Sequence, residues 1–156
     1  MKTAIFPGSF DPFTNGHLDL IRRMSLVFDS VIIVVSKNPS KKYLFSNQQR
    51  LDMIREATKD ISGIDVVLYG GLIAPFAKEH NGVLVKGVRN SVDLDYEMPQ
   101  YQANLAIADV ETLLLPANPA YSHISSSLVR ELYSYGADVS ALVPESVNAA
   151  FQSLNR

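Results

Sequence analysis

The sequence predicts an α/β fold: a single doubly wound, Rossmann-like domain in which helices cover both faces of a five-stranded parallel sheet. Short apolar runs alternate with segments of helical periodicity, which is the order of elements in such folds. The run at residues 31–35 is apolar at every position, as expected of a strand that is covered on both faces. No repeat, low-complexity tract or linker divides the chain, so we expect residues 1–156 to form one domain.

The first half of the chain predicts two strands and two helices. Residues 3–6 read as a strand, and apolar side chains then recur on one face of a helix: Leu20, Ile21, Met24, Val27 and Phe28. Residues 31–35 form the second strand. Ser46, with Gln49 three residues later, predicts a capping box. The helix that follows carries its apolar face on Leu51, Ile54, Ala57 and Ile61.

The second half continues the alternation. Strands are predicted at residues 66–69, 83–85 and 112–115, and helices at 72–80 and 93–108. Pro99 lacks a backbone donor and is expected to kink the second of these helices. A further helix is marked by Leu128, Leu132 and Tyr135. Gly136 is expected to end that helix, and a last helix is expected to begin near Pro144.

Composition limits the class of protein. Apolar types make up 47% of the 156 residues, which suffices for a core at this length, and cysteine is absent. There are therefore no disulfides and no thiolate metal sites. The net charge of −2 argues against a general nucleic-acid binder. No segment resembles a signal peptide or a membrane span, so we expect a cytoplasmic protein without nucleic-acid or membrane partners.

The segment after the first strand carries a candidate anion site. Ligands of doubly wound sheets bind beyond the carboxyl ends of the strands, near the topological switch point. Here Gly8 permits close backbone approach, and Ser9 offers a hydroxyl and an amide. His17 falls in the first turn of a helix, where it can donate to phosphate oxygens. The alternative is a turn with a capping histidine, which the Thr-Asn-Gly-His tetrapeptide alone would favour.

A second candidate follows the fourth strand, at residues 85–89. Lys86 and Arg89 lie on either side of Gly87, so both cations can face a cleft whose floor is bare backbone. Arginine binds phosphate through two parallel hydrogen bonds, whereas lysine acts as a point charge. Surface charge beside a loop glycine is an equally good interpretation of this segment alone.

A third candidate lies at residues 121–127, before a helix. One hydroxyl suffices for an N-cap, and Ser125, Ser126 and Ser127 supply three. The surplus hydroxyls and the free amides of the first turn predict a second phosphate cradle, which Arg130 could reach from one turn further on. A plain helix cap is the less favoured alternative.

The remaining charged residues carry weaker signals. Lys41 and Lys42 can bracket an anion after the second strand, although a solvated pair is the default interpretation. Asp93 and Glu97 share a helix face and are expected to be solvated. The three histidines are too scattered for a zinc site, and the chain has neither Gly-x-Gly-x-x-Gly nor a P-loop. Anion-binding strand exits without an evident nucleophile or base suit phosphoryl chemistry.

In combination, these segments resemble the nucleotidylyltransferase superfamily. Thr14-Asn15-Gly16-His17 is similar to its (H/T)xGH motif, and Ile124-Ser125-Ser126-Ser127 to its ISS(S/T) motif, both of which serve ATP. Further matches narrow the resemblance to the bacterial phosphopantetheine adenylyltransferases: Pro39-Ser40-Lys41-Lys42, Lys86-Gly87-Val88-Arg89 and Tyr96-Glu97-Met98. The resemblance runs essentially from end to end of the chain.

The resemblance implies an activity, which is the transfer of the adenylyl group of ATP to 4′-phosphopantetheine. The products are dephospho-coenzyme A and pyrophosphate, in the penultimate step of coenzyme A synthesis. The substrate phosphate attacks the α-phosphorus of ATP in line, without an enzyme-bound intermediate, and Mg²⁺ is held mainly by the ATP phosphates. The resemblance also implies a homohexamer, built as a dimer of trimers, and coenzyme A as a product-like inhibitor.

Roles for individual residues come from the same resemblance. The catalytic set is His17, as the stabiliser of the transition state, with Lys41, Arg89 and Ser127. ATP is bound by Ser9, Phe10, His17, Gly87, Val88, Arg89, Glu97, Tyr121, Ser122, His123, Ile124, Ser125, Ser126 and Ser127. The substrate is bound by Ser9, Lys41, Ile73 and Lys86. No residue is assigned as a metal ligand.

Two alternatives stay open at this point. One is a related transferase, such as a nicotinate-mononucleotide adenylyltransferase or a glycerol-phosphate cytidylyltransferase, against which the matches at residues 39–42 and 86–89 argue. The other is a catalytically silent nucleotide-binding module. His17 and the serine triplet are intact, which disfavours the silent module. A substrate panel scored by pyrophosphate release tests the related transferases, and a turnover assay tests the silent module.

Overall fold

The computed structural model describes residues 1–154, and its architecture is the α/β fold that the sequence predicts. In chain order its elements are β1 (Thr3–Gly8), α1 (Asn15–Met24), β2 (Ser30–Ser36), α2 (Asn47–Ala57), β3 (Ile64–Tyr69), α3 (Ile73–Glu79), β4 (Gly82–Val88), α4 (Ser91–Ala108), β5 (Thr112–Pro116), α5 (Ser126–Ser134) and α6 (Glu145–Leu154). Within residues 1–154 no helix combines the length and apolarity needed to cross a bilayer.

The five strands are parallel and lie in the order β3-β2-β1-β4-β5. The chain builds outward from β1 through β2 to β3, then returns to place β4 on the other side of β1. The topological switch point therefore lies between β1 and β4. The β1–β2 ladder extends to the pair Gly8 and Val35, but the β1–β4 ladder stops at Ile5 and Leu84. The carboxyl ends of β1 and β4 thus part early, and a crevice opens there.

Two apolar clusters cover the two faces of the sheet. Alternate residues of β2 belong to different clusters: Ile33 and Val35 join the larger, with α1, α2, α5 and α6, while Val34 joins the smaller, with α3. The prediction that β2 is covered on both faces is therefore confirmed. In contrast, α4 and β5 leave large apolar side chains exposed: Val92, Leu94, Tyr96, Met98, Leu105, Ile107 and Leu113.

Three predicted element boundaries agree with the structure for the physical reasons given. Ser46 and Gln49 form the capping box of α2. Gly136 has φ of +80° directly after the C-cap of α5, a conformation that glycine adopts without a steric penalty. Pro144 immediately precedes α6.

The end of α1 differs from the prediction. The helix ends at Met24, and a turn closed by Val27 N–H and Phe28 N–H on the Met24 carbonyl follows. The chain then enters β2, where Asp29 N–H donates to the Lys2 carbonyl. Phe28 still packs on the core, but Val27 is 72% exposed, so the helical face predicted through these two residues is wrong.

One further helix prediction is corrected, and one is not tested. Helix α2 ends at Ala57, and Ile61 packs on the core from beyond it. The hydroxyl of Thr58, the C-cap residue, donates to the Ile54 carbonyl at 2.7 Å, in the last turn. Helix α4 continues through Pro99 from Ser91 to Ala108, and the kink expected at Pro99 stays a prediction. Pro99 is exposed, so water can satisfy the carbonyl that its missing N–H leaves free.

Candidate active site

A cavity of about 300 Å³ lies at the carboxyl ends of β1 and β4, at the switch point. Most of the predicted site residues line it: Ser9, Phe10, His17, Lys86, Gly87, Arg89, Glu97, Tyr121, Ile124, Ser125 and Ser126. The three strand-exit segments singled out in the sequence therefore meet at one place. The volume lies at the lower end of the range of small-molecule sites.

Six predicted residues lie outside the cavity lining: Lys41, Ile73, Val88, Ser122, His123 and Ser127. Lys41 is at its edge, because its Nζ donates to Ser9 Oγ at 2.9 Å. Ser127 is tied to the lining through its Oγ, 3.2 Å from Ser125 Oγ. Ile73 instead packs against the smaller apolar cluster, at the start of α3.

A capping box at the start of α1 fixes the orientation of His17. The Thr14 Oγ1 accepts from the His17 N–H at 3.3 Å, and the Thr14 N–H donates to His17 Nδ1 at 3.0 Å. Glutamate or glutamine usually takes this position. Because Nδ1 accepts, the neutral ring carries its proton on Nε2, a tautomer inferred from the hydrogen bonds. Nε2 has no hydrogen-bond partner within residues 1–154 and is left to donate into the cavity.

The surroundings of the imidazole are largely aromatic. The Phe13 ring stacks on it with centroids 5.5 Å apart, and the Phe10 ring meets it edge-on at 5.0 Å. Burial, and secondarily the positive charge of Arg89, lowers the pKa of His17 from 6.5 to about 4. At neutral pH the ring is therefore an uncharged donor. The predicted alternative of a capping histidine is true of Nδ1, but it does not occupy Nε2.

Donors from other elements hold the loop between β1 and α1. The Asp11 carboxylate accepts from the Leu44 and Phe45 N–H groups at 2.7 and 2.9 Å. Arg130 Nη1 donates to the Asp11 carbonyl at 2.7 Å. Arg130 does not line the cavity, so the prediction that it reaches a phosphate cradle is not supported by this geometry. Its cation is used to hold the loop.

The serine triplet divides its hydroxyls among different tasks. Ser125 is the N-cap of α5 and accepts from the Leu128 N–H at 3.0 Å. Ser126 Oγ donates to the Pro12 carbonyl at 2.7 Å, which joins α5 to the β1–α1 loop. The first-turn amides of α5 have no partners within the helix, and Ser125 and Ser126 line the cavity. At the expected anion site, the available donors are thus the amides more than the surplus hydroxyls.

The opposite wall of the cavity, formed by β4 and α4, is made of ion pairs. Lys86 Nζ lies 3.3 Å from Glu97 Oε1, and Arg89 Nε lies 2.8 Å from Asp93 Oδ2. The Arg89 hydrogen bond lowers the pKa of the Asp93 carboxyl. Glu97 is only 8% exposed. The expectation that Asp93 and Glu97 are solvated is therefore wrong, because each has a cation of the strand exit as its partner.

Gly87 gives this wall its bare-backbone floor. A Cβ at this position would lie 2.5 Å from Leu20 Cδ1, so a side chain here would require the Leu20 side chain of α1 to move. Lys86 and Arg89 line the cavity on either side of it, as the sequence predicts.

Sequence reasoning missed Arg50, a buried arginine behind the β1–α1 loop. Its Nη1 donates to the Ser9 carbonyl at 2.7 Å and to the Ser36 carbonyl at 2.8 Å. A signal was available, because Arg50 stands four residues before Ile54 and so shares the inward face of α2. A charged residue at an inward-facing helix position predicts a buried side chain with specific hydrogen-bond acceptors.

Comparison with known proteins gives a consistent family. Residues 5–132 match the model of the cytidylyltransferase-like family. The chain is 47% identical over 152 residues to a phosphopantetheine adenylyltransferase of Psychromonas ingrahamii, covering 96% of this chain and 94% of that protein. It is similarly 42% identical to that of Nocardioides sp. (98% and 97% covered) and 46% identical to that of Kocuria rhizophila (97% and 99% covered).

A solved structure agrees on the fold. It is a crystal structure described as a nicotinate-nucleotide adenylyltransferase from Vibrio parahaemolyticus, with a TM-score of 0.70 over 97% of this chain and 99% of that chain. At 19% sequence identity, this similarity supports the Rossmann-like fold alone.

Proposed function

Because the chain belongs to the cytidylyltransferase-like family, and within it to the phosphopantetheine adenylyltransferases, we propose that the cavity at the ends of β1 and β4 is its active site. The chain is a nucleotidyltransferase that makes dephospho-coenzyme A and pyrophosphate from ATP and 4′-phosphopantetheine. We propose direct in-line attack. A phosphate oxygen of 4′-phosphopantetheine forms a bond to the α-phosphorus of ATP, the bond to the bridging oxygen breaks, and pyrophosphate leaves.

The observation that carries this proposal is the meeting of three kinds of anion donor around one cavity. The Nε2–H of His17, the cations Lys86 and Arg89, and the amides at the start of α5 come from the exits of β1, β4 and β5. No single one of them distinguishes a phosphate site from local capping or surface charge. Together they match a substrate with a triphosphate and a second phosphate.

Within the proposal, His17 stabilises the transition state at the α-phosphate, and Lys41, Arg89 and Ser127 complete the catalytic set. Ser9 contacts both substrates. ATP is held by Phe10, Gly87, Val88, Arg89, Glu97, Tyr121, Ser122, His123, Ile124, Ser125, Ser126 and Ser127. The phosphopantetheine end is held by Lys41, Ile73 and Lys86.

The physics of the step favours these roles. Negative charge on the equatorial oxygens grows toward the transition state, so donors that are already fixed stabilise it more than they stabilise the bound substrate. His17 meets this requirement, because Thr14 holds its ring from the far side and leaves Nε2 unused. A neutral donor also needs no proton transfer, which agrees with the low pKa of His17.

We propose that Mg²⁺ enters with ATP and is held mainly by phosphate oxygens, as is usual for this ion. The acidic residues of the cavity fit this arrangement, since Asp93 and Glu97 are each paired with a cation. When bound, the ion would neutralise charge on the phosphates and favour the departure of pyrophosphate.

We propose a homohexamer, a dimer of trimers, as the working assembly. The large apolar side chains that α4 and β5 expose support this, because surfaces of this kind are covered in oligomers. Sedimentation equilibrium should give a mass six times that of the 17.2 kDa chain if the proposal holds, and a smaller multiple if it does not.

Within the same proposal, residues 1–156 act as one catalytic domain in the cytoplasm, and coenzyme A binds as a product-like inhibitor.

A turnover assay tests the proposed function. The protein would be incubated with ATP, Mg²⁺ and 4′-phosphopantetheine, and both pyrophosphate and dephospho-coenzyme A would be measured. We expect equal amounts of the two products. Parallel reactions with ATP and nicotinate mononucleotide, and with CTP and glycerol 3-phosphate, should give rates at least a hundredfold lower. Preferential turnover of either alternative pair, or none with any pair, would contradict the proposal.

A further inference from the structure

Arg50 is an unusual residue to find buried behind the β1–α1 loop. It lies on α2 and is fully buried, with its guanidinium carbon 3.8 Å from the centre of the Tyr43 ring. Its hydrogen-bond acceptors are two main-chain carbonyls and Asn47 Oδ1, and none is a carboxylate. Burying a charge without an ion-pair partner costs stability. An apolar side chain of similar size would avoid that cost, which suggests a task other than stability.

The two carbonyls that Arg50 binds mark the point where β1 leaves β2. The β1–β2 ladder ends at the pair Gly8 and Val35. The next carbonyls along the two strands are those of Ser9 and Ser36, and both accept from Arg50 Nη1. One nitrogen of Arg50 thus takes the place of the next ladder bond and fixes the main chain at the start of the β1–α1 loop.

Fixing the Ser9 carbonyl also fixes the next amide. The peptide unit between Ser9 and Phe10 is planar and trans, so its C=O and N–H point in opposite directions. The carbonyl is directed into the protein, toward Arg50, and both Ser9 and Phe10 line the cavity. The Phe10 N–H therefore points to the cavity side, where the Phe10 ring also lies edge-on to His17.

We propose that Arg50 is a positioning residue for adenylyl transfer: by holding the Ser9 carbonyl inside the protein, it aims the Phe10 N–H at the reacting phosphate, beside His17. Arg50 itself touches neither substrate. The proposal rests on the proposed function of the cavity.

Arg130 shows why this effect belongs to Arg50. Arg130 also donates to a carbonyl of the same loop, that of Asp11. The residue after Asp11 is Pro12, which has no N–H, so holding that carbonyl aims no donor. Both arginines stabilise the loop, but of the two only Arg50 sets the direction of an amide.

Steady-state kinetics of Arg50→Lys provide the first test. Lysine keeps the charge but cannot reach both carbonyls and Asn47 with one planar fork. We expect kcat to fall tenfold to a hundredfold, with KM for ATP and for 4′-phosphopantetheine within threefold of wild type. The matched control is Arg55→Lys, on the same helix, whose guanidinium donates to the Val66 carbonyl, away from the cavity. A folded Arg50→Lys variant with kcat within threefold of wild type would overturn the proposal.

Asn47→Ala covers the case in which Arg50→Lys does not fold. It removes the acceptor of Arg50 Nη2 and leaves the carbonyl bonds in place, so the guanidinium is less well oriented. We expect kcat to fall threefold to tenfold. Unchanged kcat in this variant would overturn the proposal as well.

An amide spectrum separates this proposal from the proposed function. In ¹⁵N-labelled wild type, inorganic pyrophosphate should shift the Phe10 amide resonance, and Arg50→Lys should reduce that shift at least fivefold, while Arg55→Lys should not. An equal shift in Arg50→Lys and wild type would overturn the positioning role. Absence of adenylyl transfer by the wild type would contradict the proposed function, whereas the comparison of Phe10 shifts would still decide the role of Arg50.

Discussion

The two walls of the cavity hold their polar groups in different ways. On the β1–α1 wall, the partner of His17 Nδ1 is a neutral main-chain N–H, on the side of the ring away from Nε2. On the β4–α4 wall, Lys86 and Arg89 face carboxylates at 3.3 and 2.8 Å. A bound phosphate can accept a hydrogen bond directly from His17 Nε2. At Lys86 and Arg89, by contrast, it must compete with the carboxylates that already pair with these cations. We therefore expect the first wall to act mainly by positioning the transition state and Lys86 on the second wall to act mainly on affinity, while Arg89 belongs to the proposed catalytic set.

Replacing His17 should have the largest effect on catalysis and is therefore the strongest test of the difference between the two walls. We expect His17→Ala to lower kcat about 10²–10³-fold, or about 2.7–4 kcal/mol, because one preorganised donor to the developing charge is lost. ATP affinity, measured by calorimetry, should stay within threefold. His80→Ala is the control, since His80 caps α3 outside the cavity lining. Pyrophosphate release by His17→Ala within a few-fold of wild type would show that the first wall does not position the reaction.

The same imidazole should make stability depend on pH. The pKa of His17 is about 4 in the folded protein, below 6.5 for an exposed imidazole, so between these values the unfolded chain binds more protons. The free energy of unfolding therefore has its full value, with respect to His17, above pH 6.5. It decreases as the pH falls toward 4, by at most about 3 kcal/mol. Urea unfolding at pH 7 and pH 4.5 should show a larger loss of stability in wild type than in His17→Ala. Equal losses would mean that His17 is not held neutral.

Substitution of Lys86 should change affinity more than rate. We expect Lys86→Met to raise KM for 4′-phosphopantetheine about tenfold, or about 1.4 kcal/mol, with kcat within threefold. Lys86→Arg keeps the charge and should raise KM less than threefold. The double variant Lys86→Met/Glu97→Gln controls for the buried carboxylate that the single change leaves unpaired. A fall in kcat as large as that of His17→Ala would remove the distinction between the walls.

The smallest effect is expected for Asp93→Asn. The substitution weakens the hold on Arg89, which donates to Asp93 through Nε, Nη2 and its main-chain N–H. Without the negative carboxylate, Arg89 is freer to bind a phosphate of ATP, but its guanidinium is also less well oriented. Because these two effects oppose each other, KM for ATP should change no more than about threefold. The pair is partly exposed, and thermal unfolding should show a loss of no more than about 1 kcal/mol. A tenfold change in kcat would give Asp93 a role in positioning Arg89 for the reaction, which we do not assign to it.

Local sequence patterns predict most of this fold, because each strand and helix follows from its own periodicity and caps. The capping box at Ser46 and the glycine after α5 are examples in which the physical rule needs only neighbours in sequence. The errors lie where tertiary structure decides. Val27 continues the helical period, yet the chain turns before it to pair β2 with β1. Ile61 continues the period of α2, yet the helix ends at Ala57 and Ile61 packs on the core from outside it.

The candidate site could be predicted in its parts but not in its pairings. The exits at His17, Lys86 and the serine triplet are visible because turns and caps are local. The partner of Glu97 is eleven residues away on another element, and the carbonyls that Arg50 binds lie at the ends of two separate strands, just after β1 and at the last residue of β2. Nothing in the sequence near Arg50 specifies those acceptors, because they are main-chain groups brought together only by the sheet.

The state of the His17 ring tests the central claim most directly. Ring ¹⁵N chemical shifts of the full-length protein, recorded from pH 4 to pH 8, report both its tautomer and its pKa. We predict an unprotonated Nδ1 and a protonated Nε2 at pH 7, with a pKa near 4. A proton on Nδ1 at pH 7 would mean that Nε2 is not the neutral donor to the cavity, and a pKa near 6.5 would mean that burial does not hold the ring neutral; either result would contradict the account of the first wall.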